Sequence, residues 1–299
     1  MTNFKQNLVL LCFLLFGMTG SLFAQSLDNK GNEFYMAFLR DFDTQSDIQV
    51  HLTSDVATNV LLEFPANAPT FTTTVTVSPG AITIVDIPYN PSSELVAGIV
   101  ENKLIRASST EEFVAYMISV RNFSSDAALA LPVDTYNTQY IAMSYFSNIV
   151  FQDRSEFAVV AAFDNTTVTI TPTANLVGGF AANVPFQVVL NRGEMFLAQG
   201  LANGQANDLT GSLIDSDKPI GMTNGNLCTN VPPSVAACDH IFEVAQPTQT
   251  WGNRALVIDF PHTPNGVVYR IMAAEDNTTL LQNGSTIEPH KLVYLKKTH

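Results

Sequence analysis

Three aspartates crowd one short stretch, Asp41, Asp43 and Asp47 of DFDTQSD, and neighbouring carboxylates of this kind could gather oxygen ligands around a calcium ion. The stretch lacks the central glycine and the distant bidentate glutamate of a helical calcium loop, so it reads first as a solvated turn and only weakly as a metal site. Hydroxyls and carboxylates also meet at Asp208–Ser212 (DLTGS) and at Asp215-Ser216-Asp217, where a serine nucleophile or a carboxylate pair for glycoside hydrolysis would be the chemistry to test. Ser212 has no G-x-S-x-G elbow, no histidine base can be assigned to it, and Asp or Thr before Gly is ordinary turn composition. His51, His240, His262, His290 and His299 are scattered without the i, i+4 pairing of a zinc helix. These residues assign no catalytic group, no metal other than the weak calcium candidate, and no cofactor.

Cysteine chemistry is more definite. Cys12 falls in an N-terminal apolar run that export would remove, which leaves Cys228 and Cys238, and two cysteines permit one pairing. His240 and Asp239 lie beside them, but no second ligand pair at zinc spacing exists, so a disulfide is expected. A bridge across so short a loop contributes roughly 2 to 3 kcal/mol on the chain-entropy model. Asp239 and His240 could then present polar groups next to a fixed loop. Trp251, after Pro-Thr-Gln-Thr and before Gly252, could be a platform for a sugar ring or a partner side chain. Its counterpart in the repeat described below is Tyr136, which argues equally for packing between copies. Trp251, Tyr136, His240 and Asp239 are therefore the candidate binding surface.

The elements that must position these residues begin with an export leader. Lys5 gives a basic start, Leu8–Phe16 is apolar, and Ser21-Leu22-Phe23-Ala24 ends on a small residue, so residues 1–24 read as a signal peptide. The run is too short to span a bilayer and no second candidate follows, so a secreted or cell-surface chain without membrane insertion is expected. The formal charge of −13 disfavours nucleic acid and anionic lipid as partners. With 46% hydrophobic and 14% charged residues, rich in Val, Ile, Thr, Phe and Tyr, the chain can bury a large core and leans towards strands.

Strand-like runs bounded by Gly, Pro, Asn and Asp recur at 33–40, 48–54, 59–64, 72–77, 81–87, 113–120, 157–163, 166–171, 186–190, 194–199, 255–260, 267–273 and 291–295. Only residues 91–106 invite a helix. Segments also repeat: Ala57-Thr58-Asn59-Val60 matches Asn165-Thr166-Thr167-Val168 and Asn277-Thr278-Thr279-Leu280, and Gly80 matches Gly193. Ala107–Phe113 matches Ile214–Ile220, and Pro132 and Tyr136 match Pro247 and Trp251. The expected fold is all-β, in tandem related β-rich copies of sandwich- or propeller-like sheets: a first copy over 25–149, a second with the disulfide loop over 150–252, and an incomplete third over 253–299. The third stops before the block that follows in the other two. It reads either as a fragment or as a cap whose edge is closed by Lys296, Lys297 and His299. Sequons at Asn122, Asn165, Asn277 and Asn283 would be sugar acceptors in a eukaryotic secretory pathway.

Several blocks in order resemble the N-terminal domain of the IgG Fc-binding protein family, which also occurs in bacterial surface proteins: GNEFYMAF (31–38), LPVDTYNTQYIAMSY (131–145), FAVVAAFDNTTVTITP (157–172) and LNRGEMFLAQ (190–199). The densest stretch, 208–252, carries DLTGSLIDSDKPIGMTNGNLC and CDHIFEVAQPTQTWG, with Cys228 and Cys238 where the family places a cysteine pair. The resemblance implies a secreted β-rich adhesion domain that binds an extracellular protein or glycan, immunoglobulin Fc or a mucin-like partner among them, and it brings no catalytic residues. The alternatives are an extracellular polysaccharide hydrolase and a structural assembly protein. If Cys228 and Cys238 are bonded, alkylation of the native protein leaves its intact mass unchanged, whereas reduction first adds two labels; two labels without reduction would refute the bridge.

Overall fold

Val, Ile, Thr and aromatic residues alternate with polar ones along most of the chain, and a period of two buries one face of each extended segment. In Asp47–Thr53 the buried positions are Ile48, Val50 and Leu52, and in Thr58–Phe64 they are Thr58, Val60, Leu62 and Phe64. The structure, a computed structural model, describes residues 28–297 apart from 42–45, 89–90, 92–94, 147–153, 203, 257–266, 276, 283 and 288–291. The expected leader at 1–24, Asp43, His262, His290, His299 and most of the strand expected at 255–260 lie outside the described residues.

The fold is all-β, with antiparallel pairing throughout and no α-helix among the described residues. The first unit contains β1 (Gly31–Met36), β2 (Asp47–Thr53), β3 (Thr58–Phe64), β4 (Phe71–Val77), β5 (Thr83–Ile87), the two-residue β6 (Val100–Glu101), β7 (Ile105–Val120) and β8 (Asp126–Leu129). The second contains β9 (Asn137–Ile141), β10 (Ser155–Ala161), β11 (Thr166–Thr171), β12 (Phe186–Leu190), β13 (Met195–Gln199), β14 (Leu213–Thr229) and β15 (Asp239–Val244). β16 (Val267–Met272), β17 (Leu280–Gln282), β18 (Ser285–Ile287) and β19 (Leu292–Lys297) follow.

The two units are built alike. In the first, the N-terminal half of β7 lies between β1 and β3, with β4 outside β3, and its C-terminal half lies between β2 and β8, with β5 outside β2. In the second, β14 lies between β9 and β11, with β12 outside β11, along its N-terminal half, and between β10 and β15, with β13 outside β10, along its C-terminal half. Each unit is thus a nearly closed, barrel-like antiparallel arrangement that one long strand ties together. The same hydrogen-bonding pattern thus occurs in both units. β9, at residues 137–141, pairs into the second unit although it precedes residue 150. β16 pairs with β19 and β17 with β18, the same couplings as β10 with β13 and β11 with β12.

The units share their packing. One apolar core joins Phe34, Val50, Leu62, Phe113 and Met117 of the first unit to Ala158, Val160, Met195, Leu197 and Phe242 of the second. A second core, with Phe157, Val159, Val168, Ile170, Phe196, Ile220 and Met222, is internal to the second unit. The sheet of β10 and β13 is therefore buried on both faces, which is why it reads as continuous apolar runs. Residues 98–101 cross over to make this contact: β6 pairs with the outer edge of β13, and the Gly98 N–H donates to the Leu197 carbonyl at 2.9 Å. No helix forms in the described part of 91–106, because Gly98 takes a left-handed φ of 84° and its neighbours spend their backbone on β13.

β14 is extended despite its Gly, Asn, Asp and Pro content, and two of its glycines are required by close approach. A Cβ at Gly221 would lie 2.5 Å from the Tyr136 ring, and one at Gly225 would lie 2.4 Å from the Ile241 carbonyl oxygen and 2.6 Å from Leu39. Replacing Gly225 with alanine should destabilise the protein by about 1–3 kcal/mol, since neither backbone nor core can yield freely. Gly252→Ala, whose new Cβ meets nothing closer than 3.8 Å, serves as the control in urea unfolding.

Candidate functional site

The hairpins that follow β7 and β14 end at the same place. The His240 N–H donates to Ser124 Oγ at 3.1 Å and the Phe242 N–H to Asp126 Oδ2 at 2.8 Å, which fastens the start of β15 to the start of β8. In the first hairpin Ser125 Oγ closes the turn, donating to the Arg121 carbonyl and accepting from the Arg121 N–H. In the second the closure is covalent: Cys228, at the end of β14, is bonded to Cys238 with the Cα atoms 5.3 Å apart. Each tip then offers apolar side chains to solvent. Phe123 is fully exposed on a left-handed residue with φ 68°, and Val231 and Val235 are exposed in the disulfide loop. A non-glycine residue in that region costs on the order of 1 kcal/mol, so the turn holds Phe123 outward against a local preference.

The residues singled out from sequence separate into three places. Asp239 and His240 belong to this loop end, but His240 is buried and stacks on Phe242 with centroids 5.3 Å apart. Among the described residues neither of its ring nitrogens has a partner, and burial lowers its pKa to about 4, so it is a neutral packing ring at physiological pH. Tyr136 sits at the junction of the two units. It is buried, its ring fills the space left by Gly221, and its hydroxyl donates to the Tyr35 carbonyl at 3.2 Å. Trp251 follows the corresponding 3-10 turn of the second unit, with its Nε1 donating to the Gln246 carbonyl at 3.1 Å, and it stays half-buried. Where the junction closes around Tyr136, it opens around Trp251 into a cleft of about 730 Å³. Leu131, Met143, Arg254, Arg270 and Met272 are among its other walls.

The clusters weighed for catalysis have structural uses. Asp208 accepts from the Thr210 hydroxyl at 2.7 Å and from Arg270 Nη2 at 2.9 Å, while Arg270 also donates to the Ser144 carbonyl and stacks over the Tyr145 ring. That latch binds β16 to the second unit. Ser212 Oγ donates to the Leu209 carbonyl at 2.7 Å and accepts from the Thr173 N–H. Asp215 pairs with Gln139, and Asp217 caps the Thr167 N–H. Asp41 is buried and accepts from Ser46 Oγ at 2.8 Å, while Asp47 is exposed at the start of β2. Among the described residues no three of His, Cys, Asp and Glu gather as a metal site.

Sequence reading missed the polar groups at the junction of the units. Glu33 receives hydrogen bonds from Arg106 at 2.7 Å and from Arg192 of the second unit, and Arg192 also donates to Tyr35 at 2.5 Å. Burial pushes Glu33 up, but the two guanidinium groups outweigh it and hold the carboxyl below its usual range. Glu156 is fully buried on β10, where Gln199 donates to it at 2.9 Å and Arg40 of the first unit faces it. Desolvation exceeds what these partners return, and its pKa rises to about 8.

The IgGFc binding protein family matches residues 126–294, more than half of the chain, and the chain belongs to that family. The match spans β8 through the first half of β19 and leaves the GNEFYMAF block outside it. No curated protein and no solved structure matches the chain. The disulfide and the family are both consistent with an extracellular protein.

Glu156 supplies a pH test. The folded state keeps its proton up to about pH 8, whereas the unfolded chain loses it near 4.5, so folding takes up a proton between these values and stability falls as pH rises through the window. Melting temperatures from pH 5 to 8 should therefore decline in the wild type, and the decline should be shallower in Glu156→Gln. Parallel profiles would refute the buried neutral carboxyl.

Proposed function

From this family membership we propose that the chain is an extracellular binding module that engages a protein partner through its loop end. The observation that carries the reading is Phe123, a fully exposed aromatic on a left-handed residue, beside the disulfide-clipped loop that exposes Val231 and Val235. An aromatic on a fixed turn gives up little conformational freedom on binding, and a bridge that holds the neighbouring loop lowers the ordering cost further. Apolar tips flanked in sequence by Arg121, Asn122 and Asp239 have the composition of a small protein–protein anchor. Immunoglobulin Fc and mucins are the partners to try first, on the family's name and on the resemblance noted above.

A second reading places a glycan in the Trp251 cleft. An indole beside Arg254, Gln246 and Thr250 offers a stacking face with hydrogen-bonding groups around it, and the volume lies within the range of small-ligand sites.

One experiment separates them. The chain and its Phe123→Ser and Trp251→Ala variants are titrated against Fc, mucin and a glycan panel, with glycan turnover assayed alongside. The loop reading predicts saturable binding to a protein that Phe123→Ser weakens by about tenfold or more, with Trp251→Ala neutral. Loss through Trp251→Ala alone transfers the site to the cleft, and turnover of a glycan would overturn the binding reading altogether.

A further inference from the structure

The two units differ in what covers the sheet of their second and fifth strands. Laying core on core, with Val50 over Phe157, Leu52 over Val159 and Phe113 over Ile220, puts Gln49 over Glu156 and Asp86 over Gln199. The two cross-strand pairs are chemically the same: Gln49 Nε2 donates to Asp86 at 2.8 Å in the first unit, and Gln199 Nε2 to Glu156 at 2.9 Å in the second. The same register places Ile84 over Leu197, and Ile82 falls at the place of Met195. Leu197 and Met195 are each 1% exposed, covered by the first unit, whereas Ile84 is 55% and Ile82 69% exposed. Tyr116, across the sheet from Ile84 by way of His51, is also exposed, so a row of apolar side chains stands in water where its counterpart is interior.

The strand edges differ in the same way. On β13 the outward carbonyls are satisfied: Leu197 accepts from Gly98, Gln199 accepts from Val177, and β6 pairs with Met195 and Phe196. The counterparts of Leu197 and Gln199 on β5 are Ile84 and Asp86. Among the described residues no backbone hydrogen bond reaches that side of β5, which pairs only with β2. A short strand with unpaired amides and two exposed isoleucines is a template for another strand.

We propose that β5 is a docking edge for an extended segment of another domain of this fold, seated as β6 is seated on β13. The occupant is defined by β6 and its approach, a glycine followed by two β-branched apolar residues and a carboxylate, Gly98-Ile99-Val100-Glu101. It would run antiparallel to β5 and cover Ile82 and Ile84, joining separate molecules by the contact that already joins the two units within one. This site is on a different strand from the loop end and stands whether or not Fc, a mucin or a glycan is bound.

The test uses a synthetic peptide of residues 95–104 and a scrambled control, added to the full chain and read by amide hydrogen exchange. The expected result is saturable protection, about tenfold slower exchange, across residues 82–86 with the authentic peptide alone, and no change at 195–199. Ile84→Pro removes the outward N–H while leaving the pairing with β2 in place, as proline is tolerated on an edge, and it should abolish that protection. Should it unfold the chain, Ile84→Lys, which places a charge on the same edge, gives the same readout. No protection at β5, protection at 195–199 instead, or equal protection in the edge variants would overturn the proposal. Self-association that protects 82–86 and that the 95–104 peptide fails to dissociate would also overturn it, by assigning the edge to a second copy pairing β5 with β5.

Discussion

Each unit hangs on one strand. β7 and β14 hydrogen-bond to four neighbours apiece, two along each half, and among the described residues no other strand pairs with neighbours in both halves of its unit. The demand on such a strand is contradictory, because its two halves must present apolar faces to one core while the chain turns from one sheet to the next. β7 meets it with Ala107 and Phe113 buried on either side of the exposed Thr110-Glu111-Glu112, and β14 with Ile214 and Ile220 on either side of Asp217-Lys218-Pro219. The polar middle marks the crossing between sheets. It does not mark a loop.

The second constraint is that the sheet of β10 and β13 has no wet face. The first unit covers what would otherwise be its outer side, and the residues there are Ala158, Val160, Met195 and Leu197, where the first unit has His51, Thr53, Ile82 and Ile84. Glu156 and Gln199 are the exception. They keep the polar pair that their exposed counterparts Gln49 and Asp86 make in water, now enclosed, with Arg40 opposite. A carboxyl retained there costs desolvation that a protonated form largely avoids, which accounts for the upward shift. The Glu33, Arg106 and Arg192 cluster, at the partly wet rim of the same junction, keeps its charges because the guanidinium groups bond directly to the carboxylate.

These constraints decide what the sequence can disclose. Strands buried on one face, such as β2 and β3, alternate visibly, and those buried on both, such as β10 and β13, read as apolar runs; both kinds were legible. β14 was not, because Gly221 and Gly225 serve close contacts with Tyr136 and Ile241, and Asn224 and Asn226 are polar core positions, so the strand carries the composition of a turn. β9 and β15 were hidden for a related reason, being short and placed against β14. The recurring Asn-Thr-Thr text has a local cause: Asn165 and Asn277 both take left-handed φ values. The disulfide followed from counting. Phe123 escaped notice because exposure and backbone conformation, not residue type, are what single it out.

Tyr136 and Trp251 show how one turn can meet two different surroundings without changing its own framework. Both follow Pro and a 3-10 turn whose hydrogen bonds are the same, with Thr135 and Thr250 N–H groups donating to Pro132 and Pro247 carbonyls. At the first junction Gly221 removes the side chain that would block the ring, and the phenol is enclosed by the next unit with its hydroxyl on the Tyr35 carbonyl. At the second the larger indole reaches Gln246 instead, and the cleft beside it stays open, although Arg270 latches β16 to Asp208 and Ser144 nearby. One position thus serves as a sealed joint in one place and as a cleft wall in the next. The difference lies in what the following unit brings against it, and sequence identity at the position itself does not decide which occurs.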